Sequence, residues 1–142
     1  MTMKLKIQAL IAVIGLAGCN DEALNKFVRQ ADSPVYSGDR SDLLAYGGKL
    51  WNDPSLGNSG LACGTCHAGG AAFNDSFKQP YPHLVAMAED MSGLTSIDAE
   101  QMVQFCMLQP MQAEMLAWDS KELAALTLYV EKVVQVEFIK QD

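Results

Sequence analysis

The chain has 142 residues, which is enough for one domain of ordinary size. Its 17 acidic side chains outnumber its 10 basic ones, and it contains no cluster of lysine and arginine that could neutralise a phosphate backbone. The composition therefore makes nucleic acid a poor partner, whereas an acidic surface serves either electrostatic docking to a basic partner or solubility.

The first residues form a pattern typical of export. Lys4 and Lys6 precede an apolar run over 7–18, which is too short for a comfortable membrane span. The run ends in Leu-Ala-Gly before Cys19, which resembles a bacterial lipobox, and this resemblance implies a lipidated Cys19. We predict a lipoprotein signal peptide over residues 1–18 and a protein anchored by lipid on the periplasmic side of a bacterial membrane. An ordinary signal peptide or an uncleaved anchor would also export the domain.

A polar segment separates the export signal from the predicted domain. Residues 19–39 contain Ser33-Pro34 and Ser37-Gly38, which break any helical period, so we predict a lipidated N-terminus and a flexible tether. The domain itself is predicted over residues 40–142. Loss of the two leader lysines leaves eight basic and 17 acidic side chains, a formal charge of −9.

The domain is predicted to contain modest helices joined by long loops. The first helix begins with Ser41 as N-cap, and its buried face holds Leu43, Gly47, Leu50 and Trp51. Turn-forming residues occupy 52–60, and an irregular loop follows over 69–82.

Three further helices are predicted beyond this loop. One covers residues 83–91 and stops before Gly93, and a second covers residues 98–108 and cannot pass far beyond Pro110. The last begins at a capping-box pattern, Asp119 with Glu122. Its apolar stripe contains Leu123, Leu126, Val130, Val133 and Val134, with Tyr129 at the edge. No window alternates as a half-buried strand does, so the predicted fold class is all-α.

The pentapeptide Cys-Gly-Thr-Cys-His at 63–67 carries the chemistry of the chain. A redox dithiol of the thioredoxin type needs a buried strand before the cysteine pair, and residues 55–62 contain no β-branched run. A structural zinc site needs four ligands, and Cys106 and His83 do not form a second closely spaced pair. Cys106 also stands alone, so the sequence offers no internal disulfide framework.

The same pentapeptide matches the attachment signature of haem c. The two thiols add across vinyl groups on neighbouring edges of the ring, and the histidine that follows lies beneath the iron. A large apolar cofactor would also supply the core that a loop-rich domain of about 100 residues lacks. The motif predicts one covalent haem c, attached to Cys63 and Cys66, with His67 as the proximal iron ligand.

The chain resembles the class I c-type cytochromes over most of 39–139. Gly47 and Trp51 are similar to the family's glycine and aromatic residue on the N-terminal helix, and Tyr129 is similar to an aromatic residue of the C-terminal helix that crosses it. Residues 47–75 also resemble the first haem region of di-haem cytochrome c peroxidases, although this chain has a single CxxCH. The resemblance implies a class I cytochrome c fold, with three to five short helices and long loops around one haem.

The resemblance also implies the surroundings of the iron. The Nδ1–H of His67 is expected to bind the carbonyl of Pro80, with Pro82 as the reserve. Met111 is the predicted distal ligand, because Pro110 ends the preceding helix and the spacing to the C-terminal aromatic residue is similar to that of the family.

Other residues could take the distal position. Met115 is the reserve ligand, His83 would give bis-histidine ligation, and an open site is a further alternative. Met102 and Met107 are predicted to be core residues. Cys106 is expected to be a small buried apolar residue, although pairing and iron ligation occur in some relatives. Trp118 either donates to a haem propionate or covers the core.

The predicted function is single-electron transfer by a membrane-tethered monohaem cytochrome, an electron carrier and no enzyme in itself. Its expected partners are redox proteins or a membrane respiratory complex, with the membrane reached through the lipid anchor. The alternative is a peroxidase-like haem enzyme, or a gas-binding haem protein, with an open or labile sixth iron site.

Overall fold

The computed structural model describes residues 25–141. The predicted signal peptide and the predicted lipidation at Cys19 lie outside the described residues. Within them, the helices are α1 Arg40–Trp51, α2 Cys63–Cys66, α3 Ala86–Ser92, α4 Ala99–Leu108, α5 Lys121–Tyr129 and α6 Gln135–Ile139. The described residues contain no strand, only an isolated bridge between His83 and Ile97. The prediction of an all-α fold is therefore confirmed.

Short non-α turns complete the helical framework. Two 3₁₀ turns, Ala68–Gly70 and Asp75–Lys78, follow α2. A π-helical turn, Val130–Val134, joins α5 to α6, and the backbone stays helical at both junctions. The C-terminal rod thus runs from Lys121 to Ile139 with one π-helical turn in its middle.

Two predicted helix starts are wrong by one or two residues. Asp39, and not Ser41, caps α1, because its carboxylate accepts hydrogen bonds from the amides of Ser41 (2.8 Å) and Asp42 (3.1 Å). Ser120 caps α5 in place of Asp119, since its hydroxyl accepts from the Leu123 amide at 3.2 Å.

Tertiary contacts explain the shift at α5 and the shorter α3. Glu122 does not complete the predicted capping box, because its carboxylate accepts a hydrogen bond from the Tyr46 hydroxyl of α1 at 2.8 Å. Helix α3 begins three residues later than predicted, because the backbone of His83 is bridged to that of Ile97. The start of α4 agrees with the prediction, since Asp98 and Gln101 form a reciprocal capping box.

Helices α1 and α5 form the main packing contact of the domain. A methyl group added at Gly47 would collide with the Ala125 carbonyl oxygen and lie 2.7 Å from Cβ of Tyr129. Only glycine permits this close approach of the two backbones. The crossing that the cytochrome resemblance implied at Gly47 and Tyr129 is therefore present.

The described end of the predicted tether packs on the domain. Phe27 is buried and stacks on Phe105 of α4, with ring centroids 4.2 Å apart. Arg29 pairs with Glu100 at 2.7 Å, and the Gln101 amide donates to the Phe27 carbonyl at 2.8 Å. Residues 27–29 are thus held against α4 and do not form a free linker.

Among residues 25–141, no helix combines the length and the apolar character that a membrane span requires.

Candidate haem-binding site

A largely apolar space lies between the CGTCH turn and α4. It consists of a cavity of about 360 Å³ and an adjoining narrower one of about 40 Å³, and both have Cys66, His67 and Cys106 in their walls. The larger volume falls within the range of small-molecule and cofactor sites, ~300–1,000 Å³.

Helix α2 presents the two cysteines of the motif. Residues three apart lie on one face of a helix, so a single turn places both sulfurs toward the cavity walls. The turn is closed by hydrogen bonds from the Ala62 amide to the Thr65 hydroxyl (3.2 Å) and from the His67 amide to the Cys63 carbonyl (3.2 Å). Burial raises the pKa of Cys63 to about 11, whereas a redox dithiol needs a nucleophilic cysteine of lowered pKa.

The His67 ring is held by a local carbonyl. Its Nδ1 lies 3.1 Å from the Ala71 carbonyl oxygen, so the expectation that Pro80 or Pro82 fills this role is wrong for this structure. The turn at Ala68–Gly70, in which Gly69 has a positive φ of 62°, brings the chain back to the ring after only four residues. With Nδ1–H committed to Ala71, Nε2 is the nitrogen left to bind iron.

Burial and aromatic neighbours complete the surroundings of His67. Burial lowers the pKa of His67, although the Ala71 carbonyl acts in the opposite direction, and the neutral imidazole is the form that ligates metals. Phe73 stacks on the ring at 4.1 Å with an interplanar angle of 9°, and Trp51 lies on it at 5.7 Å.

Phe73 and Phe77 form an aromatic wall of the site that was not predicted from the sequence. Their rings stack with centroids 4.0 Å apart, and each of the two residues lines the narrower as well as the larger cavity. The available signal was a pair of phenylalanines four residues apart in an otherwise polar loop. That pattern does not say which ligand the rings face, and only the folded chain brings them next to His67.

Met111 lies in the wall of the narrower cavity and is 3% exposed. Its backbone is held from two sides: its amide donates to the Cys106 carbonyl (3.1 Å), and its carbonyl accepts from the amides of Asn58 (2.9 Å) and Ser59 (3.1 Å). Gly57 allows this approach, because a methyl group there would collide with the Met111 carbonyl oxygen. The predicted distal ligand is thus positioned by the loop that precedes the CGTCH motif.

The reserve ligand and the indole lie elsewhere. Met115 packs against the cluster that contains Phe27 and Phe105 and lines neither cavity. Trp118 also lines neither cavity, and the guanidinium of Arg29 lies over its ring at 5.4 Å.

Four further sulfur-containing side chains line the space where the haem is expected. Met102, predicted to be a core residue, and Cys106 line both cavities, whereas Met107 lines only the narrower one and Met87 only the larger one. Burial raises the pKa of Cys106 to about 12, so its thiol is protonated at neutral pH. His83, the bis-histidine alternative, lines the larger cavity only.

The described residues give no support to the two alternatives of a disulfide at Cys106 and a structural zinc site. Cys63, Cys66 and Cys106 are all free thiols. Across residues 25–141, no group of three or more histidine, cysteine, aspartate or glutamate side chains is arranged to hold a metal ion by itself.

The residues present fit a covalent haem. Two thiols and an imidazole on one turn face a space whose walls are mainly aromatic and aliphatic, and such walls suit the apolar macrocycle. On binding, the haem iron supplies one-electron chemistry, while Cys63, Cys66 and His67 would hold it.

A comparison with known protein families gives a match over most of the predicted domain. The family described as "SoxA/TsdA, cytochrome c domain" matches residues 46–135, which is more than half of the chain. No curated protein and no solved structure showed significant similarity. The match covers the second half of α1, the CGTCH motif, the loop that contains Met111 and α5. It confirms both the resemblance to c-type cytochromes and the expectation of covalently bound haem c. The chain belongs to the SoxA/TsdA cytochrome c domain family.

Proposed function

We propose that this protein is an exported monohaem cytochrome that transfers single electrons, with Cys63 and Cys66 as haem attachment sites and His67 as proximal ligand. The observation that carries the proposal is the CGTCH turn in the wall of an apolar cavity, within a SoxA/TsdA cytochrome c domain. Apolar walls keep water from the cofactor and help to set its potential.

Met111 is the distal ligand in this proposal. Its side chain is buried at the cavity wall, and its backbone is held by Asn58, Ser59 and Cys106. A thioether at this place needs little rearrangement to reach the iron of a bound haem. Methionine–histidine ligation favours ferrous iron and raises the potential. Iron with both axial positions filled exchanges electrons without binding a substrate.

The test is the ligation state of the purified holoprotein. We expect a low-spin spectrum in both oxidation states, a reversible one-electron redox titration, and ferrous protein that does not bind carbon monoxide within seconds. A high-spin ferrous spectrum with immediate carbon monoxide binding would contradict the electron-carrier proposal.

A second candidate function is a haem enzyme with a labile sixth site. Cys106 and Met102 favour it, because both line the same space as His67 and could compete with Met111 for the iron. SoxA and TsdA are themselves parts of enzyme systems. Rapid carbon monoxide binding by the wild type, together with a spectrum altered in Cys106→Ala and unaltered in Met111→Ala, would favour this candidate.

Membrane attachment and partners complete the proposal. A lipid on Cys19 would place the domain on the periplasmic side of a bacterial membrane, within reach of redox proteins or a respiratory complex. Cys19→Ser should move the protein from the membrane fraction to a soluble or uncleaved form, and an unmodified mature N-terminus at another residue would contradict lipidation. Because the chain is acidic, electron transfer to a basic partner should slow as salt is added.

A further inference from the structure

Three of the unpartnered buried polar atoms in the described residues lie in the wall of the larger cavity. They are Oη of Tyr81 and the two ring nitrogens of His83, and a fourth such atom, Oγ1 of Thr127, lies away from both cavities. A buried polar group without a hydrogen-bond partner destabilises the fold, because it has lost its hydrogen bonds to water. Because Tyr81 and His83 both have unpartnered polar atoms in one cavity wall, we expect a polar ligand to bind there.

The fold holds these two side chains in place. Their rings stack at 4.1 Å with an interplanar angle of 27°. The backbone of His83 exchanges two hydrogen bonds with that of Ile97, at 3.1 and 3.0 Å. The buried amide of Gln135 donates to the Gln79 carbonyl at 2.8 Å, which anchors the loop just before Tyr81.

The protonation states make the pair a hydrogen-bond donor. Burial raises the pKa of Tyr81, so its hydroxyl keeps its proton and can donate. Burial lowers the pKa of His83, and the nearby Pro80 and Gln79 carbonyls act in the opposite direction without forming a hydrogen bond to the ring, so the ring is neutral and carries one unpartnered N–H. One O–H and one N–H side by side match the two oxygens of a single carboxylate.

The position of the pair points to a particular carboxylate. A haem carries its two propionates on the edge opposite the vinyl groups that form thioethers. Cys63 lines only the narrower cavity and Cys66 lines both, whereas Tyr81 and His83 line only the larger one, so the pair lies in the part of the space that extends away from Cys63. No lysine or arginine is among the described residues that line either cavity.

We propose that Tyr81 and His83 together bind one haem propionate, which enters the larger cavity and satisfies the polar atoms that the protein alone leaves unpartnered. The proposal goes beyond the electron-transfer function, because it assigns the orientation of the haem and holds whether Met111 or Cys106 is the distal ligand. It also gives His83 a role other than iron ligation.

The test is infrared difference spectroscopy of the redox transition, on holoprotein whose haem is labelled with ¹³C in the propionate carboxyl groups. Tyr81→Phe and His83→Phe keep the ring shapes and remove the polar atoms, so each should shift the carboxylate bands of one propionate. Thr127→Val is the matched control, because it removes a buried unpartnered hydroxyl outside the cavities and should leave these bands unchanged. His83→Gln, which keeps an N–H donor, should restore the wild-type bands in part.

Two results would overturn the proposal. Propionate bands that are unchanged in both phenylalanine variants would show that the carboxylates bind elsewhere. A loss of the low-spin spectrum in His83→Phe would show that His83 is an iron ligand instead. The one-electron titration of the same samples reports separately on the proposed function. Should a phenylalanine variant fail to fold, a propionate band of the wild type that does not shift on slow exchange into deuterated water would count against the buried donors.

Discussion

The proximal and distal sides of the haem site are built in different ways. On the proximal side, His67 is held by the Ala71 carbonyl and flanked by Phe73, so its partners lie four and six residues along the chain. On the side proposed to be distal, Met111 is held by the amides of Asn58 and Ser59, which precede the CGTCH motif in the chain, whereas Met111 follows it.

The first side is thus held by contacts between residues close in sequence, and the second by contacts between residues far apart in sequence. The proximal side needs only one helical turn and one 3₁₀ turn, and short-range contacts of this kind close with little loss of chain entropy. The distal side forms only when two loops far apart in sequence meet, as in the hydrogen bond from Asn58 to the Gln112 carbonyl, 54 positions apart. A change on the proximal side should therefore remove the cofactor, whereas a change on the distal side should alter its ligation and leave it attached.

The largest expected effect is the loss of covalent haem. The double variant Cys63→Ser/Cys66→Ser removes both thioether bonds, so extraction of the denatured protein with acidified organic solvent should leave no colour on the polypeptide. Cys106→Ser is the control and should retain the haem, because its sulfur belongs to α4 and not to the motif. Haem that stays on the double variant would contradict the attachment sites, and two haems per wild-type chain would contradict the monohaem prediction.

Replacement of Met111, the proposed distal ligand, should have the next largest effect. Met111→Ala should abolish the weak absorption band that a thioether–ferric bond gives near the red edge of the visible, and should lower the potential because a ligand that favours ferrous iron is lost. Removal of this buried side chain should also destabilise the fold by about 2–5 kcal/mol. The haem should remain attached, which is the contrast with the proximal double variant.

Two variants serve as controls for this assignment. Met115→Ala should keep the band, since Met115 packs with Phe27 and lines neither cavity. Cys106→Ala should also keep it. If Cys106→Ala changes the axial ligation and Met111→Ala does not, the thiol of α4 is the ligand.

The packing of α1 on α5 supports both sides of the site, and it can be tested where the two helices cross. Gly47→Ala gains about 1 kcal/mol of helix propensity, but its methyl group meets the Ala125 carbonyl and Cβ of Tyr129, and such overpacking costs about 1–3 kcal/mol. We expect a lower midpoint of thermal unfolding. Gly48→Ala has the same propensity gain and meets only the edge of the Tyr129 ring, at 3.0 Å, so it should be the more stable variant. Equal midpoints would contradict the close backbone contact.

The smallest effect is expected from removing the hydrogen bond between Asn58 and the loop that contains Met111. Asn58→Ala removes the side-chain hydrogen bond to the Gln112 carbonyl, which is worth about 0.5–1.5 kcal/mol. The red-edge band should then disappear at a lower temperature than in the wild type. Asn52→Ala is the matched control, because its amide bonds only to the Gly48 carbonyl within the same helix end. A similar change in both variants would show that this distal bond has no special role.

Sequence-based prediction succeeded where the information is local. The helix predicted over 98–108 begins where the structure forms a capping box at Asp98 and Gln101, and Gly93, with φ of 77°, ends α3 in the left-handed conformation that favours glycine. The starts of α1 and α5 were misplaced because a neighbouring residue also offers a capping oxygen. At α5, Glu122 was unavailable for the predicted box, because Tyr46 from another helix takes its carboxylate.

The same limit applies to the site. Pro110 and the spacing to Tyr129 singled out Met111, but the contacts that hold it could not be predicted, since the Asn58 and Ser59 amides are backbone groups without a sequence signal. Phe73, Phe77 and Tyr81 were missed as cavity residues because aromatic residues in a loop can face either the solvent or the core.

The fold class and the cofactor could be predicted from the sequence, because helical periodicity and the five consecutive residues of CGTCH are local patterns that need no tertiary contact to be read. Most of the side chains that surround the cofactor site are set by tertiary contacts instead. The hydrogen bonds to Met111, the Cys106 thiol in the cavity wall and the pair formed by Tyr81 and His83 each depend on where distant segments of the chain cross. Such crossings are set by the packing of α1 on α5 and of residues 27–29 on α4, that is, by contacts between residues far apart in the chain.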